Sequence, residues 1–441
     1  MNKPYNCIVM GAAGRDFHVF LSFLRGNEHF RVKAFTATQI PFITERKFPK
    51  SLAGPAYEED IAIYDESELP RLIAELDIDF VIFAYSDISH ADLMHKCSLV
   101  QAAGASFIIA GPDHTQLISH KPVVSVTATR TGAGKSPLTQ YLARYLTDQG
   151  KRVAVIRHPM PYGNLEMQAV QRFATPQDLD RHECTIEERE EYAPYVDMGL
   201  PIYAGVDYQG ILDESSKEAD IVLWDGGNND FSFVKPDLDI VVVDALRAGH
   251  EIDYFPGEIN FRRADVLLIS KVNSAEPGAV EGIIERAKQL NPDAIICTAD
   301  LEIDIDKPEL IRGQKVLVIE DGPTVTHGGM AYGAGSVAAR RHGATAVEPR
   351  QYAVGTIADT YAAYPHMTHI LPAMGYSEEQ RQALAATINN CAAAEGIACV
   401  VDASPARLDR MLELDVPMAR VTYRFKQLDG MPLEERVQEL L

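Results

Sequence analysis

The residue types best suited to chemistry lie in one short stretch. An apolar run, Val123 to Thr127, leads through Ala128 into Thr129-Arg130-Thr131-Gly132-Ala133-Gly134-Lys135-Ser136, and an amphipathic segment follows from Pro137 to Leu146. Glycines between a strand and a helix let successive backbone N–H groups close around an anion, and the helix N-terminus adds partial positive charge. In such a loop Thr131, Gly132, Ala133 and Gly134 cradle phosphate. Lys135 reaches the β- and γ-oxygens, and the Ser136 hydroxyl ligates Mg2+. Pro137 is tolerated because the first helical turn has no partner for its missing N–H.

Downstream residues extend this chemistry. Ile221-Val222-Leu223-Trp224-Asp225 is an apolar strand ending in an acid, so Asp225 is expected to hold Mg2+ directly or through water. Leu267-Leu268-Ile269-Ser270-Lys271-Val272-Asn273 stands where a guanine-binding motif would carry a carboxylate. Asn273 replaces that charged acceptor, which favours ATP over GTP, with Lys271 and Asn273 as base-side residues. Arg157 and His158 end another strand, before Pro159-Met160-Pro161-Tyr162, and are candidates for gripping a phosphate and moving a proton. Arg247 and His250 follow the strand Asp239 to Val243 toward the same carboxyl edge, the edge where open α/β sheets bind ligands. Two weaker loops, Gly11-Ala12-Ala13-Gly14-Arg15 and the Gly-rich run from Gly322 through His327 to Gly335, can also present N–H groups to an anion.

Short β-rich runs alternate with helix-length segments, the pattern of an α/β protein. Residues 1–120 have the look of a Rossmann-like domain, 121–320 of a nucleotide-binding domain on a parallel sheet, and 321–441 of a smaller α/β segment. Runs such as Ile240-Val241-Val242-Val243 are apolar on both faces, as a buried parallel strand requires. Between Asp178 and Asp220 the chain has 13 acidic and three basic residues. That stretch reads as a solvated helical insertion or a lid over a site.

Composition bounds the function. The 441 residues are 46% hydrophobic and 24% charged, ordinary values for a globular chain. Lys plus Arg number 41 against 63 Asp plus Glu, a net charge of −22, which argues against nucleic acid or an anionic membrane as partner. A pocket can still be locally positive. The six cysteines show no paired spacing and read as reduced thiols. No apolar run approaches the roughly 20 residues of a membrane span, and no signal segment is visible, so a cytoplasmic location is expected.

The loop spelling Ala-Thr-Arg-Thr-Gly-Ala-Gly-Lys-Ser, at 128–136, resembles the variant phosphate loop of the dethiobiotin synthetase and MinD-like branch of P-loop proteins. With Arg157-His158, Trp224-Asp225-Gly226-Gly227-Asn228-Asn229-Asp230, Asp244-Ala245-Leu246-Arg247 and Glu320-Asp321-Gly322-Pro323, the chain resembles the cyclic 2,3-diphosphoglycerate synthetase family. The resemblance implies an ATP- and Mg2+-dependent ligase that closes 2,3-bisphosphoglycerate to its cyclic form. Lys135, Asp225, Arg157, His158 and Arg247 would act on the phosphates, and the dimer usual in that branch is implied as well. A regulatory or maturation NTPase, or a kinase or ligase for another small phosphorylated acid, stays open as an alternative.

Overall fold

The computed structural model describes residues 3–37, 46–158, 163–326, 328–374, 377–405 and 408–441. The chain forms two compact units. The first comprises Met1–Arg172, Pro201–Thr298 and Asp429–Leu441, and the second comprises Phe173–Leu200 and Ala299–Leu428.

The first unit holds two parallel-dominated sheets. One is built from β1 (Tyr5–Met10), β2 (Phe30–Ala37), β3 (Lys47–Phe48), β4 (Ile61–Asp65), β5 (Phe80–Phe83) and, beyond the short β6 (Ile88–Ser89), β7 (Ser106–Ile109). Its order is β3-β4-β2-β1-β5-β7, with only β3 antiparallel to its neighbour. Phe17, Phe20, Phe35 and Phe48 pack edge-to-face and tilted on one side of it.

The next strands are β8 (Val123–Ala128), β9 (Val153–Arg157), β10 (Gln171–Phe173), β11 (Ile202–Ala204), β12 (Ile221–Asp225), β13 (Leu238–Asp244), β14 (Tyr254–Phe255), β15 (Val266–Ser270) and β16 (Ile295–Ile305). Within the first unit they run β11-β9-β12-β8-β13-β15-β16, all parallel. Every residue of β8, β9, β12 and β15 is buried, as a sheet covered on both faces demands. The short strand β14 instead pairs antiparallel with β6.

The second unit contains β17 (Lys315–Glu320), β18 (Thr345–Ala346), β19 (Leu371–Pro372), β20 (Cys399–Asp402) and β21 (Met418–Asp429). They are ordered β21-β20-β17-β18, with β19 beside the end of β17, and all these pairings are parallel. Its core packs Val316 to Ile319 and Val400 against Leu384, Ile388 and Ile357 from flanking helices.

The acidic stretch is divided. Its first part forms the helices Pro176–Arg181 and Ile186–Asp197 of the second unit, each opened by a capping box, at Thr175/Asp178 and Thr185/Glu188. The second part forms β11 and the helix Tyr208–Glu218 of the first. A solvated helical insertion does not describe all of this stretch, because Glu187, Glu188 and Glu190 are buried.

Candidate phosphate-transfer site

The loop after β8 turns through left-handed glycines, Gly132 at φ 75° and Gly134 at φ 111°. A side chain at either position would strain the backbone. The helix then begins at Lys135 and runs to Asp148, two residues ahead of the expected Pro137 start. Lys135 is nearly buried, and its Nζ donates to the Asn228 carbonyl at 2.5 Å.

Asp225 ends β12, which lies between β8 and β9, and is fully buried. Its Oδ1 accepts from Thr139 Oγ1 at 3.2 Å and lies 3.5 Å from Ser136 Oγ and 3.0 Å from Arg157 Nη1. The same Arg157 nitrogen donates to the Gly226 carbonyl at 2.8 Å. A hydroxyl and a carboxylate oxygen beside a phosphate loop are the hard donors Mg2+ takes, with phosphate oxygens and water completing its shell. The donor set therefore fits Mg2+.

On the other flank, Asp244 ends β13 and pairs with Arg247 at 2.7 Å and Lys271 at 2.9 Å. Burial alone would raise its carboxyl pKa, but the two cations outweigh burial and hold it below the ordinary value. Both cations also brace the loop, Arg247 donating to the Thr131 carbonyl at 2.6 Å and Lys271 to the Gly132 carbonyl at 2.7 Å. Asn273 sits in a short 3-10 turn, Val272–Ser274, and is exposed.

The N-terminal half contributes too. Asp87, just before β6, pairs with Arg130 at 2.6 Å and accepts from the Thr131 N–H at 3.2 Å. Arg130 also lies 3.6 Å over the Tyr254 ring of β14 and bonds to His250. Beneath the loop, Asn260 Nδ2 donates to the carbonyls of Ala128, Asn229 and Asp230. Asn260 belongs to the helix Gly257–Arg263, at whose start a Cβ on Gly257 would fall 2.1 Å from the Thr129 carbonyl, so only glycine fits.

A third cluster joins the two sheets. Asp230 Oδ2 bonds His158 Nε2 at 2.8 Å, and its Oδ1 pairs with Arg15 Nη1 at 3.3 Å. Arg15 lies over the Phe231 ring at 4.3 Å. His158 packs so closely that a Cβ on Gly227 would meet its Cγ at 2.5 Å. Burial pushes the neighbouring Asp16 up to about 7, partly offset by the Ala13 and Phe17 N–H groups. Burial likewise pushes His18 down to about 3, leaving it a neutral bridge to the Thr115 carbonyl at 2.8 Å.

Lys135, Ser136, Asp225 and Arg157 thus meet at the ends of β8, β9 and β12. Arg247 and Lys271 brace the loop, His158 belongs to the Asp230 cluster, and Asn273 lies apart. Residues 159–162 and His327, both singled out in the sequence, fall outside the described residues. Sequence reasoning missed Asp87, Asn260 and Gly257. The Asn-Asn-Asp run after Asp225 was its only trace of this second layer.

No protein-family model matches the chain. It is 52% identical over 438 residues to "Arginine synthetase ArcE" of Thermococcus kodakarensis, covering 99% of this chain and 97% of that protein. To "Cyclic 2,3-diphosphoglycerate synthetase" of Rubrobacter xylanophilus it is 23% identical over 268 residues, 54% of this chain and 58% of the relative. Among solved structures, LpxK from Aquifex aeolicus in complex with ATP aligns with a TM-score of 0.40 at 13% identity, covering 84% of this chain and 98% of that one.

Proposed function

Because the chain belongs to the arginine synthetase ArcE family, we propose that it is an ATP-consuming synthetase that makes L-arginine. The observation that carries this reading over the bisphosphoglycerate one is local charge. Arg15, Arg130, Arg157 and Arg247 are each ion-paired with a carboxylate of the chain, respectively Asp230, Asp87, Asp225 and Asp244. A bisphosphate beside ATP needs a surplus of positive charge, whereas a zwitterionic amino acid does not.

Arginine's guanidinium arises when a C–N bond replaces the C–O bond of a ureido group. Ammonia does not displace a ureido oxygen unaided. Transfer of the γ-phosphoryl group to that oxygen makes it a leaving group. Ammonia then adds to the carbon and phosphate departs with the oxygen. The balance is ureido amino acid plus ammonia plus ATP giving arginine, ADP and phosphate.

The loop N–H groups and Lys135 hold the β- and γ-phosphates in line. Ser136 and Asp225 would hold Mg2+, which when bound neutralises charge on the transferring group. Arg157 fixes Asp225 and turns its guanidinium toward the same strand ends. Arg247 and Lys271 keep the loop carbonyls turned away from the phosphates. His158 and Arg15 are positioning residues, acting through Asp230.

Incubation with ATP, Mg2+, ammonia and the ureido counterpart of arginine should yield arginine and phosphate in equal amounts, and Lys135→Ala should abolish both. A parallel incubation with 2,3-bisphosphoglycerate, followed by phosphorus NMR, tests the cyclic-product reading that the weaker relative suggests. New pyrophosphate-type resonances there, with no arginine in the first reaction, would overturn the proposal.

A further inference from the structure

The second unit carries carboxylates that phosphate transfer does not use. In the helix Ile186–Asp197, Glu187, Glu190 and Glu191 are spaced i, i+3 and i+4, and so share one face. Glu187 is 1% exposed and Glu190 4%. Burying a carboxylate is costly unless hydrogen bonds or an opposite charge compensate the lost water.

The sheet of the same unit adds two more. Asp402 ends β20 opposite Ile319 of the parallel neighbour β17, and Asp321 directly follows β17. Asp321, Glu187, Glu191 and Asp402 all bear electrostatically on Glu190, and Tyr423 of β21 is held un-ionised by burial beside Asp321 and Glu190. These groups gather at the carboxyl edge of a parallel sheet, the usual ligand edge.

Among the described residues Glu190 Oε1 and Asp402 Oδ2 are buried and have no hydrogen-bond partner, and they come from different elements, a helix and a strand. Their neighbour Glu320 shows what a satisfied buried acid looks like. It accepts from the N–H groups of Gly333, Gly335 and Ser336 and from the Ser336 hydroxyl. Burial pushes Asp402 up to about 7 against the pull of the Ser404 hydrogen bonds and the Arg420 charge, and burial with four like charges pushes Glu190 well above its ordinary value. A cation arriving here would relieve both. Among the described residues no three His, Cys, Asp or Glu side chains are placed to hold a metal ion. An organic cation with several N–H donors suits acceptors supplied by two elements within electrostatic reach of each other.

The geometry points to a cation-binding site in the second unit, in which Glu190 and Asp402 accept hydrogen bonds from a cationic nitrogen group of L-arginine. This inference rests on the arginine-forming activity proposed above. The ligand offers two such groups, the guanidinium and the α-ammonium, and both share the required chemistry.

The test is calorimetric titration of the full chain, with ADP and Mg2+ present, by L-arginine, by its Nα-acetyl derivative and by its ureido counterpart. Glu190→Gln and Asp402→Asn are titrated beside the wild type, because both keep shape while removing the acceptor charge. The expected result is at least a tenfold weaker Kd for L-arginine in each variant, with ADP affinity within twofold. Selective loss for the Nα-acetyl derivative assigns the guanidinium, and selective loss for the ureido compound assigns the α-ammonium. Unchanged L-arginine affinity in both variants overturns the site while leaving the proposed activity standing if the wild type still makes arginine. Loss of ADP and arginine binding together also overturns it as a separate cation site. A wild type that neither makes nor binds arginine fails at the level of the function itself.

Discussion

The carboxylate of Asp87 spans two groups of the phosphate loop, pairing with Arg130 Nε at 2.6 Å and accepting from the Thr131 N–H at 3.2 Å. Asp87 lies between β5 and β7 of the N-terminal sheet in sequence, so that half of the first unit takes part in shaping the glycine loop. Its own backbone is strained, at φ 56°, and its N–H donates to Asn229 Oδ1 at 2.7 Å. Removing the carboxylate leaves the Arg130 guanidinium buried with its charge unmatched, an arrangement that typically costs 3 kcal/mol or more. Asp87→Ala should therefore lower unfolding stability by about 3 kcal/mol and weaken ATP binding. Urea denaturation and nucleotide titration measure the two effects. A variant as stable as the wild type would show that His250 and Tyr254 suffice to hold Arg130.

In the proposed reaction Lys135 and Asp225 serve the same phosphates, the one directly and the other through Mg2+. Lys135→Ala and Asp225→Asn should each reduce phosphate release by on the order of a hundredfold or more, the scale seen when one preorganised charge is withdrawn from a transition state. Asp225→Asn keeps the packing with Thr139 but loses the charge opposite Arg157. Its stability should fall as well as its turnover, whereas that of Lys135→Ala should change little. Single-turnover rates beside melting temperatures separate these outcomes, and an Asp225→Asn enzyme with normal turnover would exclude this carboxylate from the reaction.

How much of this was legible in the sequence depended on the range of the contact. Lys135, Ser136 and the left-handed glycines are local, because a strand, a glycine turn and a helix start leave their mark within 14 residues. Asp225 was legible because an apolar strand ending in an acid is also local. Asp87 was not, since its partner lies 43 residues away and nothing around Asp87 differs from an ordinary turn. Asn260 was hidden for the same reason, its partner carbonyls lying up to 132 residues away. The acidic stretch misled for a different reason. Composition counts charges without showing which face they occupy, and Glu187 and Glu190 turn inward while Glu183 and Asp197 face solvent.

The base of the nucleotide should be adenine. Asn273 stands exposed where a guanine-selecting loop would carry a carboxylate able to accept two hydrogen bonds. A hydrogen bond to a charged group contributes roughly 1.5–3 kcal/mol, enough for at least a tenfold preference. The wild type should use ATP with a kcat/KM at least tenfold above that for GTP, and Asn273→Asp should narrow the gap by improving GTP alone. Initial-rate measurements with both nucleotides decide it. Equal use of the two by the wild type would remove Asn273 from base recognition.

Stability should fall as pH rises from about 4 to about 7, and Asp16 is one named cause. Burial raises its carboxyl from an ordinary 3.8 to about 7, while the Ala13 and Phe17 N–H groups and Arg15 pull the other way and Asp230 adds to the rise. Between those two values the folded chain holds a proton that the unfolded chain has released. The unfolded state binds fewer protons, so unfolding free energy declines with pH across that window and levels off above about 7. A shift of this size corresponds to a contribution on the order of 4 kcal/mol, present in full below pH 4 and lost as the folded group ionises. Asp16→Asn keeps an acceptor for the two N–H groups and cannot ionise. The variant should therefore gain on the wild type steadily from pH 5 to pH 7, with no further gain at pH 8. Urea unfolding of both proteins at these values gives the difference directly. A difference independent of pH would mean that Asp16 is ionised in the folded chain throughout, its charge held by Arg15 rather than suppressed by burial.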